Sequence, residues 1–187
     1  DIFFAIKGKK NDGNKFIAQS FKRKASFAIV NKIQNKLNNN RQIKVKNTLK
    51  FLIDVSKIYR KIIDTKIIAI TGSCGKTTLK ELLGNVLSKI SKVSTSPKSY
   101  NNKFGVPLSL FNIKQNDEYG ILEVGMDKKG EIDYLSRIIE PDVGVITNIN
   151  YAHAKNFKNI KQIALAKSEI INNLSLIHIS EPTRPYW

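Results

Sequence analysis

The sequence contains a single cysteine, Cys74, among 187 residues. One cysteine excludes an internal disulfide and any metal cluster built from several thiolates, and it is typical of a protein in a reducing cytoplasm. No apolar run approaches the roughly 18 residues that a membrane-spanning helix requires, and we find no secretory signal. We therefore expect a cytoplasmic chain without a membrane partner. Because it starts at Asp1 and not at Met, we also expect a piece of a longer protein.

Acidic residues are scarce, since 15 Asp and Glu stand against 32 Lys and Arg and give a formal net charge of +17. Such a charge is compatible with nucleic-acid binding. However, Lys, Asn and Ile recur throughout, as in "NKIQNKLNNNRQIKVKN", which is typical of an AT-rich genome. The basic residues are spread along the chain and form no separate arm. We therefore favour a compositional origin of the charge and expect no nucleic-acid partner.

Residues 1–64 predict a small N-terminal α/β domain that is incomplete at its start. Three short apolar segments, "DIFFAIKG", "SFAIVN" and "IKVKN", predict strands, and "NKFIAQSFKRK" predicts a short helix between the first two. A longer helix follows, with Asn47 or Thr48 as its N-cap and an apolar face.

Residues 65–174 predict a second, larger α/β domain. The segments "KIIAI", "YGILEV" and "DVGVITNI" are continuous apolar runs, as in strands buried on both faces. Helical patterns alternate with them, which favours a doubly wound, mostly parallel sheet of the phosphate-loop type, truncated at its end. Residues 175–187, "SLIHISEPTRPYW", continue no helix or strand and resemble translated adapter sequence. We interpret them as a non-native tail.

The helix after "KIIAI" carries a regular apolar pattern. Its apolar residues are spaced i, i+3, i+4, i+7, i+8 and i+11, which predicts one buried face. They are Leu79, Leu82, Leu83, Val86, Leu87 and Ile90.

The turn "TGSCGKTT" between that strand and that helix predicts phosphate binding. Glycines allow backbone N–H groups to close around phosphate oxygens, and the helix N-terminus adds partial positive charge. Lys76 would neutralise the outer phosphates, and the Thr77 hydroxyl suits Mg²⁺. The turn lacks the usual first glycine, because Ile70 stands there. Cys74 is interpreted as a small residue at a variable loop position and not as a reactive thiol.

Two further polar residues follow predicted strands, where ligands of open α/β sheets gather. Glu123, in "LEVGM", is either a solvated strand-end carboxylate or a Mg²⁺ ligand facing Thr77. His153, in "NINYAHAKN", is either structural or part of the same site.

Lys167 lies near the middle of the apolar face of the last predicted helix. The face is defined by Ile160, Ile163, Ala164, Ile171 and Leu174. Such a lysine either extends its amine to water past a buried stem or is a low-pKa amine with a role in an active site. The pattern leaves both interpretations open.

Taken together, these segments resemble the Mur ligase family, ATP-dependent amide-forming enzymes of bacterial cell-wall synthesis. "TGSCGKTT" is similar to the shortened phosphate loop of that family, and "YNNKFGVPLSL" resembles its Asn-rich segment. "LEVGMDKKGEI" and "DIFFAIKGKKNDGNKFI" resemble members that add D-alanyl-D-alanine to a UDP-N-acetylmuramoyl tripeptide. The resemblance spans about residues 1–174.

The resemblance implies a set of roles for individual residues. Lys76, Glu123, His153 and Lys167 would be catalytic, with Lys167 carbamoylated. Two Mg²⁺ ions would be bound by Thr77, Glu123 and His153. ATP would be bound by Thr71, Gly72, Ser73, Cys74, Gly75, Lys76, Thr77, Thr78 and Asn148. Asn101 and Asn102 would line the substrate site.

The resemblance also implies a reaction and its partners. ATP would phosphorylate the tripeptide carboxylate, and D-alanyl-D-alanine would attack the acyl phosphate. Residues 1–64 would bind the UDP-sugar, and the enzyme would be a cytoplasmic bacterial monomer, inactive as this piece alone. The rivals are another Mur-type ligase, adding diaminopimelate or resembling folylpolyglutamate synthetase, and a GTPase-type switch. The switch would need the longer loop and an Asn-Lys-x-Asp-type motif.

Overall fold

The computed structural model describes residues 1–8, 11–151 and 156–174. The chain forms two compact units, residues 1–58 and residues 59 onward. The boundary between them falls inside a helix, Thr48–Ile62.

The first unit is a small α/β unit around a parallel three-stranded sheet. The strand order is β1-β2-β3, and Ala5, Ile17, Ala28 and Val30 form its buried core. Its elements are β1 (Ile2–Phe4), α1 (Ile17–Lys22), β2 (Phe27–Val30), β3 (Gln42–Lys44) and α2 (Thr48–Ile62), with 3-10 turns at Gly13–Phe16 and Asn39–Arg41. Asn47 is the residue that caps α2, because its Oδ1 accepts a hydrogen bond from Lys50 N at 2.9 Å.

The second unit is a four-stranded parallel sheet with strand order β5-β6-β4-β7. Its elements are β4 (Lys66–Thr71), α3 (Lys76–Leu87), β5 (Val93–Thr95), α4 (Gly105–Leu110), β6 (Tyr119–Glu123), α5 (Glu131–Ile139), β7 (Val143–Ile146), α6 (Ile160–Ser168) and a 3-10 turn, Glu169–Asn173. Strands and helices alternate along the chain, which confirms the predicted α/β fold with parallel sheets.

The sheet order brings the ends of β4 and β6 together. The two strands are neighbours, and Ile70 pairs with Glu123. From β4 the chain continues to β5, at one edge of the sheet. From β6 it continues to β7, at the opposite edge. Connections that diverge in this way open a crevice at the carboxyl ends of the strands, where ligands of such folds bind.

Two short elements, β5 and α4, were missed by the sequence analysis. β5 has only three residues, Val-Ser-Thr, and two of them are polar, so the sequence shows no apolar run there. All three are half-buried. α4 begins at Gly105 and contains Pro107, which are poor helix formers in general. Proline is tolerated there because it lies in the first turn, where no intrahelical N–H bond is lost.

The predicted buried face of α3 was partly wrong, since Leu79, Leu83 and Leu87 are half-buried but are not the most buried residues of the helix. The residues of α3 that the structure buries are Lys80 and Gly84, whereas Leu82 is 57% and Ile90 is 80% exposed. Residues of an α-helix are about 100° apart around its axis. The side of α3 that carries Lys80 and Gly84 is therefore rotated by roughly a third of a turn from the centre of the stripe of apolar residues, which was predicted to be buried. The helix packs close to the sheet there, since a Cβ on Gly84 would lie 2.8 Å from Thr95 Cγ2.

In the part of the chain that the structure describes, no helix is both long and apolar enough to span a membrane.

One arginine, Arg60, fixes the edge of the second unit beside β7. Its guanidinium donates to Ile139 O at 2.7 Å and to Glu140 O at 2.9 Å, and it pairs with Asp142 Oδ2 at 3.0 Å. The same Asp142 oxygen accepts a hydrogen bond from Ile67 N, at the start of β4, at 2.7 Å. Arg60 therefore connects the end of α5 with two strands of the sheet.

We expect Arg60→Met to lower the free energy of unfolding by about 1–2 kcal/mol, because it leaves the partly buried carbonyl of Ile139 and the carboxylate of Asp142 without their charged donor. The measurement is urea denaturation followed by far-UV circular dichroism. Lys61→Met, at the exposed neighbouring position, is the matched control and should change the free energy by less than about 0.5 kcal/mol. Equal effects of the two substitutions would contradict this role of Arg60.

Candidate functional site

The segment between β4 and α3 is a tight loop that requires glycine at two positions. Gly72 and Gly75 have φ values of +148° and +79°, a region that L side chains rarely adopt. A Cβ on Gly72 would also lie 1.8 Å from Thr147 Oγ1. The loop therefore turns at these glycines and leads directly into Lys76, the first residue of α3. This strand–turn–helix order suits phosphate binding by backbone N–H groups and the helix N-terminus.

The segment that follows β7 holds this loop in place. Asn148 accepts hydrogen bonds from Ser73 N through its backbone oxygen and from Cys74 N through Oδ1, each at 3.0 Å. Thr147 Oγ1 donates to Cys74 O at 2.6 Å. Cys74 itself is exposed. The side chains of Thr147 and Asn148 therefore determine the path of the loop, and the role of Thr147 was missed by the sequence analysis, although it directly follows an apolar strand.

Lys76 and Thr71 lie at the two ends of the loop. Lys76 Nζ donates to Gly72 O at 2.9 Å, so the ammonium lies across the loop. Thr71 is fully buried, and within the described residues its hydroxyl oxygen has no hydrogen-bond partner. Ser73 Oγ donates to Asn150 O at 2.9 Å. Thr78 is exposed on the first turn of α3.

The Glu123 carboxylate lies next to the first turn of α3. It is only 2% exposed, and Thr77 Oγ1 donates to its Oε2 at 2.8 Å. Asn101 Nδ2 donates to the other oxygen, Oε1, at 2.7 Å. The structure thus brings together Thr77, Glu123 and Asn101, three residues that the sequence analysis placed in the site.

Lys167 is buried, with 1% of its surface exposed. Burial and, to a smaller extent, the positive charge of Lys76 together lower the pKa of its amine from 10.5 to about 8. Desolvation disfavours the charged form of a lysine, and a like charge nearby does the same. Of the two interpretations of Lys167, the low-pKa amine fits the structure better, because the residue as a whole is 1% exposed and its pKa is lowered.

Asn102 lies apart from this group of contacts. Its Oδ1 accepts hydrogen bonds from Phe104 N and Gly105 N at 3.0 Å each, so it caps the start of α4. The side chain is exposed. His153 and residues 175–187 lie outside the described residues.

The second unit has the features of a phosphate-loop protein. It has a parallel sheet covered by helices, a glycine-containing turn between a strand and a helix, and a lysine and a threonine in the first turn of that helix. The family model described as "Mur ligase middle domain" matches residues 70–180. The chain therefore belongs to the Mur ligase family.

Curated relatives agree with this assignment. The UDP-N-acetylmuramoyl-tripeptide–D-alanyl-D-alanine ligase of Bacillus subtilis is 37% identical over 96% of this chain and 40% of its own length. The protein of the same name from Buchnera aphidicola subsp. Acyrthosiphon pisum is 39% identical over 92% of this chain and 38% of its own length. The chain thus spans about two fifths of the length of these relatives.

Solved structures have the same fold. MurF from Acinetobacter baumannii is 36% identical and superimposes with a TM-score of 0.82, covering 93% of this chain and 38% of its own. MurF ligase from Thermotoga maritima, solved in complex with ADP, is 32% identical with a TM-score of 0.79, covering 94% of this chain and 40% of its own.

In solution freed of carbon dioxide, we expect the pKa of the Lys167 amine to be about 8 and Lys76→Met to raise it only partly towards 10.5, because desolvation, the larger cause, remains. The measurement is an NMR titration of lysine side chains labelled with ¹³C at Cε. Lys167→Met assigns the signal by removing it. Titration of Lys167 at its ordinary value, or full restoration of that value by Lys76→Met, would contradict the buried position of the amine.

Proposed function

We propose that the complete protein is an ATP-dependent ligase that adds D-alanyl-D-alanine to a UDP-N-acetylmuramoyl tripeptide in bacterial peptidoglycan synthesis. The observation that carries the proposal is the contact between Thr77 and Glu123 at the carboxyl end of the sheet, beside a phosphate loop. The loop's Lys76 lies near enough to the buried Lys167 to lower its pKa. Membership of the Mur ligase family and similarity to ligases named for this reaction support the choice of substrates.

ATP would be held by the loop between β4 and α3. The backbone N–H groups of the loop and the N-terminus of α3 offer donors and partial positive charge to phosphate oxygens. Lys76, which bonds a loop carbonyl at 2.9 Å, would turn its ammonium to the outer phosphates. Asn148 fixes the loop through the hydrogen bonds that it accepts from Ser73 N and Cys74 N.

The residues at the end of β6 suit a Mg²⁺ ion. A hydroxyl and a carboxylate oxygen already lie 2.8 Å apart in Thr77 and Glu123, and hard oxygen ligands are those that Mg²⁺ prefers. Within the described residues no group of three or more His, Cys, Asp or Glu side chains could hold a metal. Few protein ligands are typical of Mg²⁺, which retains waters and takes the remaining oxygens from nucleotide phosphates. When bound, the ion supplies charge that stabilises the transferring phosphoryl group.

Lys167 is proposed to carry a carbamate. The neutral amine would attack carbon dioxide, forming an N–C bond and releasing one proton. An amine whose pKa is about 8 is neutral in about a tenth of molecules at pH 7, against roughly one in three thousand for an ordinary lysine. The product is an anion, so the repulsion between Lys76 and Lys167 would become an attraction.

The reaction would proceed by direct transfer between substrates. The terminal carboxylate of the tripeptide attacks the γ-phosphorus of ATP, giving an acyl phosphate and ADP. The amine of D-alanyl-D-alanine then attacks the acyl carbon, loses a proton and expels phosphate. We propose that the central domain, residues 65–174, holds the nucleotide, that residues 1–64 bind the UDP-sugar, and that Asn101 and Asn102 lie at the substrate.

We expect the complete ligase to release ADP only when the UDP-N-acetylmuramoyl tripeptide and D-alanyl-D-alanine are both present, because completed turnover needs the attacking amine. A coupled ADP assay with each substrate omitted in turn measures this dependence. Diaminopimelate with the UDP-dipeptide serves as the control pair. Full turnover with the control pair, or without the dipeptide D-alanyl-D-alanine, would contradict the proposal.

We expect Lys167→Ala to reduce activity at least a hundredfold and a small carboxylic acid to restore part of it, since the acid replaces the anion of the carbamate. The assay follows product formation at rising concentrations of acetate or formate. Lys161→Ala, at an exposed position of the same helix, is the control and should retain activity. Loss without any rescue by acid would argue against a carbamate at Lys167.

A further inference from the structure

A second lysine, Lys80, is completely buried on α3, one turn after Thr77. Its exposed fraction is 0%. The ammonium donates to Ser96 O at 2.7 Å and to Lys98 O at 2.5 Å, and it pairs with Glu81 Oε1 at 3.1 Å. An ammonium has three donors, and three acceptors surround this one. Lys80 therefore has no donor left for a phosphate. Its role depends on the backbone carbonyl groups that it binds, those of Ser96 and Lys98.

The two carbonyl groups belong to the segment that leads from β5 to α4. This segment bends sharply at Lys98, whose φ is +49°, a strained value for a residue other than glycine. Strained residues persist where the surrounding structure fixes them, and they are frequent next to functional sites. Here the fixing contact is the Lys80 ammonium on the carbonyl of the strained residue itself.

The same segment holds Glu123 at two points. Glu123 N donates to Ser96 Oγ at 3.2 Å, and Asn101 Nδ2 donates to Glu123 Oε1 at 2.7 Å. Asn101 O also accepts a hydrogen bond from Gly125 N at 2.7 Å, just beyond β6. A chain of direct contacts therefore runs from Lys80 through residues 96–101 to the Glu123 carboxylate.

We propose that Lys80 is a positioning residue for Glu123: it holds residues 96–101 so that Asn101 occupies one carboxylate oxygen and leaves the other for Thr77 and the metal. The proposal rests on the proposed function of Glu123 as a Mg²⁺ ligand. Partners that orient a metal ligand without touching the metal commonly change metal affinity 10–100-fold when removed.

The experiment compares Lys80→Met with Lys89→Met in the complete ligase. Lys89 is an exposed lysine just beyond the end of the same helix. Two quantities are measured: amide hydrogen exchange of peptides covering residues 96–102, and the apparent KM for Mg²⁺ at saturating ATP. For Lys80→Met we expect faster exchange confined to these peptides and about a tenfold higher KM for Mg²⁺. Lys89→Met should change neither. If Lys80→Met does not fold, Lys80→Gln is used in its place. The glutamine amide still donates two hydrogen bonds but carries no charge.

A double substitution tests whether Lys80 acts through Asn101. Asn101→Ala should raise the KM for Mg²⁺ by itself, and adding Lys80→Met should raise it little further, because residues in one chain of contacts are not additive. The proposal would be overturned if the increase in KM for Mg²⁺ in the double variant equalled the product of the increases in the two single variants. It would also be overturned if Lys80→Met lowered the melting temperature while the KM for Mg²⁺ stayed unchanged. A wild-type ligase that turns over without Mg²⁺ would instead contradict the proposed function, and the exchange data would still report whether Lys80 holds the segment.

Discussion

The buried carboxylate of Glu123 is the constraint around which the second unit is arranged. A carboxylate removed from water is costly unless hydrogen-bond donors replace the water. At 2% exposure, its two oxygens receive donors from two different places, Thr77 on α3 and Asn101 ahead of α4. The strand end, the first turn of the helix and the Asn101 segment are therefore fixed relative to one another by one side chain, directly beside the phosphate loop.

Three lysines of the second unit, Lys76, Lys80 and Lys167, are placed in two different ways. Lys80 is fully satisfied by protein acceptors, so its charge is compensated before any ligand arrives. Lys76 and Lys167 repel each other, and this repulsion contributes to the lowered pKa of Lys167. An anion that binds between or beside these two lysines relieves that repulsion. This repulsion supports the proposals that the loop binds a polyphosphate and that Lys167 carries a carbamate.

The parts of the site that follow from strand order were predictable from the sequence. Glu123 ends an apolar run, and the carboxyl ends of parallel strands meet at one edge, so its place near the loop needed no side-chain information. The inward position of Lys167 followed from a helical period. Asn101 was predicted to line the substrate site, and its amide contact with Glu123 is an additional feature that the sequence did not indicate. No local pattern reveals such a contact, because it joins residues that are 22 positions apart in an irregular segment.

The error on α3 and the missed role of Lys80 have one physical cause. The apolar stripe was assumed to face the sheet, which placed Lys80 outside the buried face. However, α3 turns Lys80 and Gly84 inward and approaches β5 closely, since a Cβ on Gly84 would lie 2.8 Å from Thr95 Cγ2. Gly84 allows this approach, and Lys80 fills the space while its three donors find acceptors. Lys167 was recognised as an inward residue because the predicted face passes through Ile163, which is buried as well, although Ile160 on that face is 41% exposed. Lys80 was not recognised, because the buried side of α3 was placed about a third of a turn away.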